Sequence, residues 1–195
     1  MRILLHACCA PCSTSSIETF EEIEKFRERI IDFNYISSEK DRKISIFFYN
    51  PNIEPKEEYE KRLVELRKLT REKKLELIEF KYDNETWREQ VKGLENIKEG
   101  GERCKTCFEM RLKKTAEYAK ENGFDAFTTT LTVSPYKNTK VINGLGKEIQ
   151  EKNNIKFLEC NFKKQDGYRD SIELSRQKNL YRQDYCGCSF SKRKE

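Results

Sequence analysis

The chain has 195 residues, of which 37% are charged and 36% apolar, with a formal net charge of +5. That length fits one α/β-sized domain whose core must come from a few patterned stretches, and the mild basic excess permits a nucleic-acid partner without requiring one. No stretch approaches the roughly 18 apolar residues of a membrane span, and Ile3 to Leu5 is too short a run for a secretory signal. A cytoplasmic protein with no membrane partner is therefore expected.

Arg2 to His6 reads as a first strand. Ser13 to Ser16 offers caps for a helix in which Ile17, Phe20, Ile23, Phe26 and Ile30 recur at helical spacing. Ile44 to Tyr49 has buried-strand character, Pro51 to Pro55 reads as a loop, and Lys56 to Lys74 as a helix with Tyr59, Leu63, Leu66 and Leu69 on one face. Leu75 to Tyr82 is a third strand, followed by a helix around Trp87 to Leu94 that Gly100 and Gly101 break. Cys104 to Asn122 is a helix closed by Gly123. Phe124 to Leu131 is a fourth strand ended by Ser134-Pro135, Thr139 to Lys152 a helix, and Ile155 to Cys160 a fifth strand. The remainder is helical or irregular. An irregular Cys-Gly-Cys segment falls within 179–195, and Lys192, Arg193 and Lys194 make the tail basic.

Strand–helix alternation at this spacing predicts a single α/β domain over 1–195, with a mostly parallel five-stranded sheet and crossover helices. Its working site belongs beyond the carboxyl ends of the strands. Cys8, Cys9 and Cys12 follow strand one and Ser134-Pro135-Tyr136 follows strand four, so those segments should meet. The Gly100 to Cys107 segment enters a helix rather than leaving a strand, and its arrival there is an added assumption.

Seven of the eight cysteines fall in three groups: Cys8, Cys9 and Cys12; Cys104 and Cys107; Cys186 and Cys188. In a reducing compartment such groups point to metal or catalysis rather than to disulfide staples. Cys104 and Cys107 sit at a predicted helix N-terminus, where the dipole favours thiolates, and at i, i+3 both can reach one metal. A CxxC alone is a metal site, a redox dithiol or a coincidence; the other groups favour metal. Cys9 and Cys12 form a second CxxC, and spacing does not choose two ligands among Cys8, Cys9 and Cys12. Two pairs would suit zinc or a [4Fe–4S] cluster. Their long separation argues against a compact zinc ribbon. Cys186-Gly187-Cys188 reads either as a strained, oxidising disulfide or as two further ligands. His6 reads as a core or site-edge histidine, and Cys160 as a small core hydrophobe. No Gly-rich phosphate loop supports ATP or NAD binding.

Five segments resemble the QueH-type, cobalamin-independent epoxyqueuosine reductases nearly end to end. They are His6-Ala7-Cys8-Cys9-Ala10-Pro11-Cys12-Ser13, Phe48-Tyr49-Asn50-Pro51-Asn52-Ile53, Arg103-Cys104-Lys105-Thr106-Cys107-Phe108, Thr129-Thr130-Leu131 with Ser134-Pro135-Tyr136-Lys137, and Tyr181 through Ser189. Glu54 departs from the histidine expected there in many relatives. The resemblance implies a HUP-like (Rossmann-like) fold and the last step of queuosine biosynthesis, reduction of epoxyqueuosine in a tRNA anticodon loop. It implies a [4Fe–4S] cluster on Cys8, Cys9, Cys104 and Cys107, leaving Cys12 near the site. Cys186 and Cys188 carry over as a redox-active disulfide or as ligands of an additional iron ion. Epoxide cleavage leaves an alkoxide that wants a proton. Asp184, foremost, with Tyr185, Tyr136 and Lys137, are candidate donors, and an electron donor is implied but unidentified. The competing readings are a four-cysteine zinc protein, an iron–sulfur sulfur transferase acting on tRNA, and a thiol–disulfide exchange protein using Cys186 and Cys188 alone.

Overall fold

The computed structural model describes residues 1–39 and 41–192, which places Arg193 and Lys194 outside the described residues. Five strands, β1 (Arg2–His6), β2 (Lys43–Phe48), β3 (Leu77–Glu79), β4 (Ala126–Thr129) and β5 (Lys156–Phe157), form one sheet in the order β3-β2-β1-β4-β5. All four pairings are parallel. β1 lies at the centre, which explains its unbroken apolar run: Ile3, Leu4 and Leu5 are fully buried, as a strand covered on both faces must be.

Strand side chains alternate between faces, and the core divides accordingly. Ile3, Leu5, Ile46 and Phe48 pack with Ile17, Leu63 and Leu66, from α1 (Ala10–Glu21) and α3 (Lys56–Glu72). Leu4, Phe47 and Phe127 pack with Leu112, Ala116, Ile142 and Leu145, from α5 (Glu102–Glu121) and α6 (Thr139–Asn153). The shorter helices are α2 (Phe33–Ser37), α4 (Asn84–Gln90) and α7 (Gly167–Gln177). Among the described residues no helix is long and apolar enough to cross a membrane.

Two expectations about the first helix are corrected. It starts at Ala10, with Cys9 as N-cap and Pro11 in the first turn, a position that needs no backbone N–H. Ser13, Thr14 and Ser16 therefore lie inside the helix and are not its caps; their hydroxyls donate back to Cys9 O, Pro11 O and Cys12 O at 2.8, 2.8 and 3.1 Å. The helix also ends at Glu21, although Ile23, Phe26 and Ile30 continue its apolar spacing and are buried. Beyond it the chain pairs with the 159–161 segment: Ile31 N–H donates to Glu159 O at 2.8 Å and Asn161 N–H to Arg29 O at 2.7 Å. Tertiary pairing overrides periodicity there. β3 and β5 are shorter than their apolar runs because each is an edge strand with one neighbour.

α6 crosses β5 closely. A Cβ on Gly146 would lie 2.3 Å from a ring carbon of Phe157, so the helix needs glycine to seat on the ring. Gly146→Ala is expected to destabilise the protein by about 1–3 kcal/mol through overpacking. Denaturant titration checks this, and an unchanged midpoint would refute the close approach.

Candidate metal centre and active site

In a parallel sheet each crossover helix starts at the edge where the preceding strand ends. That edge collects the loop after β1 with the start of α1, the Asn50–Pro55 loop before α3, the start of α5, and the Thr130–Asn138 segment after β4. The sheet order changes direction at β1 and β4, the crevice where open α/β sheets bind ligands. Cys8 leaves β1, Cys9 caps α1 and Cys12 lies in its first turn. Their three sulfurs fall within 4.8 Å of one another, with Cys8 Sγ 3.8 Å from Cys9 Sγ. The turn the sequence required to bring Cys8 and Cys9 to one side is thus the strand-to-helix junction. Cys12, which spacing alone could not separate from its neighbours, is the third member of this trio.

The electrostatics of the trio are shared. Hydrogen bonds from Cys12 and Cys9 hold the Cys8 thiol well below its usual range. A hydrogen bond with Cys12 favours the Cys9 thiolate, but the bond to Cys8, burial and the Cys8 charge outweigh it and push Cys9 up to about 11. Cys12 keeps its proton because it donates to Cys8 and Cys9. Gln183 Nε2 donates to Cys9 Sγ at 3.0 Å. Cys104 accepts from Gly100 N–H at 3.2 Å, and its thiol is raised by burial; burial pushes Cys107 up to about 11 despite Arg111. All eight cysteines are free thiols in this structure.

Three buried guanidiniums that the sequence reading did not single out surround these thiols. Arg111 Nη2 donates to Asn50 Oδ1 at 2.6 Å, and Asn50 Nδ2 in turn donates to Ala7 O at 2.8 Å. Arg103 donates to the carbonyls of Leu94, Glu95 and Ile97. Arg62 pairs with Glu58 at 2.7 Å and donates to Cys186 O at 3.0 Å and Tyr185 O at 3.3 Å. Among the described residues neither Arg103 nor Arg111 has a carboxylate partner, although each is at most 2% exposed. A buried cation without an anion is costly, and the groups beside Arg111 able to become anionic are the thiols of Cys8, which is held low, and Cys107. The donor set and its counter-charges fit a site that holds thiolate-ligated metal. His6 is fully buried, with Nδ1 2.9 Å from Thr129 Oγ1 and Nε2 3.2 Å from Tyr49 O. Burial, then Arg111, lowers its pKa to about 3, so it stays neutral and serves as a buried strut.

The C-terminal segment returns over this edge. Cys186, Cys8, Cys12, Lys137, Arg182 and Asp184 line one cavity of about 290 Å³. A second cavity beside it contains Cys104 and shares Cys186, Tyr136, Lys137 and Glu99 with the first. Cys186 thus borders both the cavity of Cys8 and Cys12 and that of Cys104, whereas Cys107 lines neither. Cys188 is instead buried with Cys107, Trp87 and Val91. Lys137 loses solvation here, but Cys186, Cys8 and Cys12 outweigh that and raise its pKa. Tyr185 Oη donates to Glu54 O, which commits its proton to the backbone. Asp184 is exposed at the rim.

Glu54, the departure from the expected histidine, clamps this loop. Its N–H donates to Gly187 O at 2.8 Å, its carboxylate accepts from Ser189 Oγ at 2.9 Å, and Arg88 pairs with it at 2.6 Å. Gly187 has φ +136°, and a Cβ there would lie 3.0 Å from Ile53, 3.1 Å from Asn52 and 3.3 Å from Arg62. Gly187→Ala is therefore expected to leave the fold intact while displacing Cys186 and Cys188, with a loss of turnover on the order of 100-fold. Circular dichroism together with kcat checks this; wild-type turnover would show that the loop's seating is immaterial.

Comparison with known proteins bears on this site. A family described as epoxyqueuosine reductase QueH matches residues 3–194. A relative from Streptococcus pyogenes serotype M1 named epoxyqueuosine reductase QueH is 39% identical over 97% of this chain and 69% of its own length. Relatives of the same name from Staphylococcus epidermidis and Thermotoga maritima are 39% and 37% identical, covering 100% and 97% of this chain and 77% and 89% of their own. Among solved structures, the U34-tRNA thiolase NcsA from Methanococcus maripaludis with its [4Fe-4S] cluster superposes with a TM-score of 0.56 at 15% identity, over 99% of this chain and 62% of that one. That likeness is one of fold.

Proposed function

This chain belongs to the epoxyqueuosine reductase QueH family, and from that premise we propose how its cysteine-lined cavity works. It is an oxidoreductase that reduces epoxyqueuosine to queuosine in tRNA. The convergence of the Cys8, Cys9 and Cys12 sulfurs at the strand edge carries the reading of the site. Cys8, Cys9, Cys104 and Cys107 are the ligands of a [4Fe–4S] cluster, with Cys12 beside them and Arg111 and Arg103 as its buried counter-charges. When bound, that cluster supplies electrons one at a time. Cys186 and Cys188 form the redox pair; holding an additional iron ion is the alternative use of the same two thiols. A cytoplasmic location suits such thiols, which must be kept reduced.

The chemistry balances on the chain's own residues. Oxidation of the Cys186/Cys188 dithiol to a disulfide releases two electrons and two protons. The epoxide takes up both, its two C–O bonds break, a C=C bond forms and the oxygen leaves as water. A separate donor of two electrons then restores the dithiol. The Lys137 ammonium, inside the cavity, stabilises the alkoxide as the first C–O bond opens. Asp184, at the solvent edge of the same cavity, relays the proton. A cavity of about 290 Å³ admits the modified ring and leaves the rest of the anticodon loop outside. Binding of that loop is expected to weaken with salt as phosphate contacts are screened.

Turnover on tRNA carrying epoxyqueuosine tests the reading. Cys186→Ser and Cys188→Ser should each abolish product with iron content unchanged, and Asp184→Asn should lower kcat by about 100-fold. Full turnover by the Cys186→Ser/Cys188→Ser double variant would remove the dithiol from the mechanism. The zinc and sulfur-transfer readings both predict no queuosine formation by the wild-type protein.

A further inference from the structure

Tyr136 is 72% exposed, yet it borders both cysteine-lined cavities. A single exposed tyrosine is ordinary on a protein surface; the way this one is held is not. It is the third residue of a turn closed by Lys137 N–H donating to Ser134 O at 3.2 Å, with Pro135 fixing the second position. The next residue, Asn138, caps α6 by accepting from Lys140 N–H at 2.9 Å and Val141 N–H at 3.4 Å. Lys163 Nζ donates to Lys137 O at 2.8 Å. The turn is thus pinned at both ends and from the side, and it presents a mostly bare aromatic ring on a rigid mount. Val141, 37% exposed, widens the apolar surface at the same mouth.

Cationic donors lie beside that ring. Lys137 lines both cavities and Lys140 is exposed two residues beyond the cap. Arg182 lines the larger cavity, its guanidinium 5.5 Å from the Tyr168 ring centroid. Its Nη1 is buried, with no hydrogen-bond partner among the described residues. A flat, rigid ring next to unspent cationic donors is the combination that holds unpaired nucleic acid, through base stacking and phosphate contacts. The cavity is too small for more than the reacting moiety, so neighbouring bases must rest on its rim.

We infer that Tyr136 is a stacking platform for an unpaired nucleobase of the anticodon loop, with Arg182 taking the adjoining phosphate. This rests on the reductase reading and deepens it by assigning a substrate contact. The face of the ring is what matters, not the hydroxyl.

The test uses the full-length holoprotein and an anticodon stem-loop RNA carrying ordinary guanosine at the reacting position, with binding read by fluorescence anisotropy. Tyr136→Ala and Tyr136→Leu should each weaken loop binding about tenfold, whereas Tyr136→Phe should bind as wild type does. Iron content and thermal midpoint should match wild type in all three, and a fully paired RNA should be bound equally by all. On epoxyqueuosine-containing tRNA, Tyr136→Ala should raise KM and leave kcat unchanged. Wild-type affinity in Tyr136→Ala would overturn the inference, as would an equal loss in Tyr136→Phe. A wild-type protein with no affinity for the loop would overturn the reductase reading itself, a result visible before any substitution is made.

Discussion

A buried guanidinium demands a negative partner, and Arg111 has none among the carboxylates of the described residues. It lies 1% exposed between Asn50, His6 and the thiols of Cys107 and Cys8. Placing a permanent cation there costs stability unless thiolates or the metal they hold return the charge. Arg103 repeats the arrangement: among the described residues its hydrogen-bond acceptors are backbone carbonyls, and its guanidinium lies 5.0 Å from the Phe190 ring centroid. Both arginines belong to the α5 segment that carries Cys104 and Cys107, so the helix delivers the proposed ligands and their counter-charge together. On the proposed reading these cations offset the negative charge of a thiolate-ligated cluster.

Topology does the gathering. Parallel strands linked by crossover helices put the N-termini of those helices at one edge, and that edge carries Cys8, Cys9, Cys12 and Cys104. Thiols nearly one hundred positions apart thereby reach neighbouring cavities without any local zinc-ribbon spacing. The segment after α7 closes the arrangement. Arg62 and Glu54, both from the α3 side, hold it through the backbone of Tyr185, Cys186 and Gly187, so the proposed redox pair is held by main-chain contacts that a substitution at Cys186 or Cys188 would not break. On the proposed reading, that separation lets the thiols change oxidation state while their support stays constant.

Much of this was legible in the sequence. The apolar runs at β1 and β2, the amphipathic face of α3 and Gly123 after α5 all signal their elements directly, and the alternation of elements gives a parallel sheet, which the structure bears out. The miss in the first helix is instructive. Ile23, Phe26 and Ile30 keep a helical period because each must be buried, but the chain there is claimed by pairing with Glu159 and Asn161, over one hundred positions away. Local pattern cannot report such a partner. The same limit applies at the site. Arg62, Arg111 and Gln183 look like surface residues by type, and only their distant partners make them part of it. Glu54 read as a departure from the family pattern and proves to be an anchor for Ser189 and Gly187, because a carboxylate can accept from Ser189 Oγ and pair with Arg88 at once.

The most direct measurement is iron and acid-labile sulfide per chain in protein purified without oxygen, for the wild type and for Cys8→Ser and Cys104→Ser. The account predicts a coloured wild type with about four of each per chain, and loss of both elements in either variant, since each removes a ligand from a different segment. A colourless wild type carrying zinc, or full iron retained in Cys104→Ser, would contradict it.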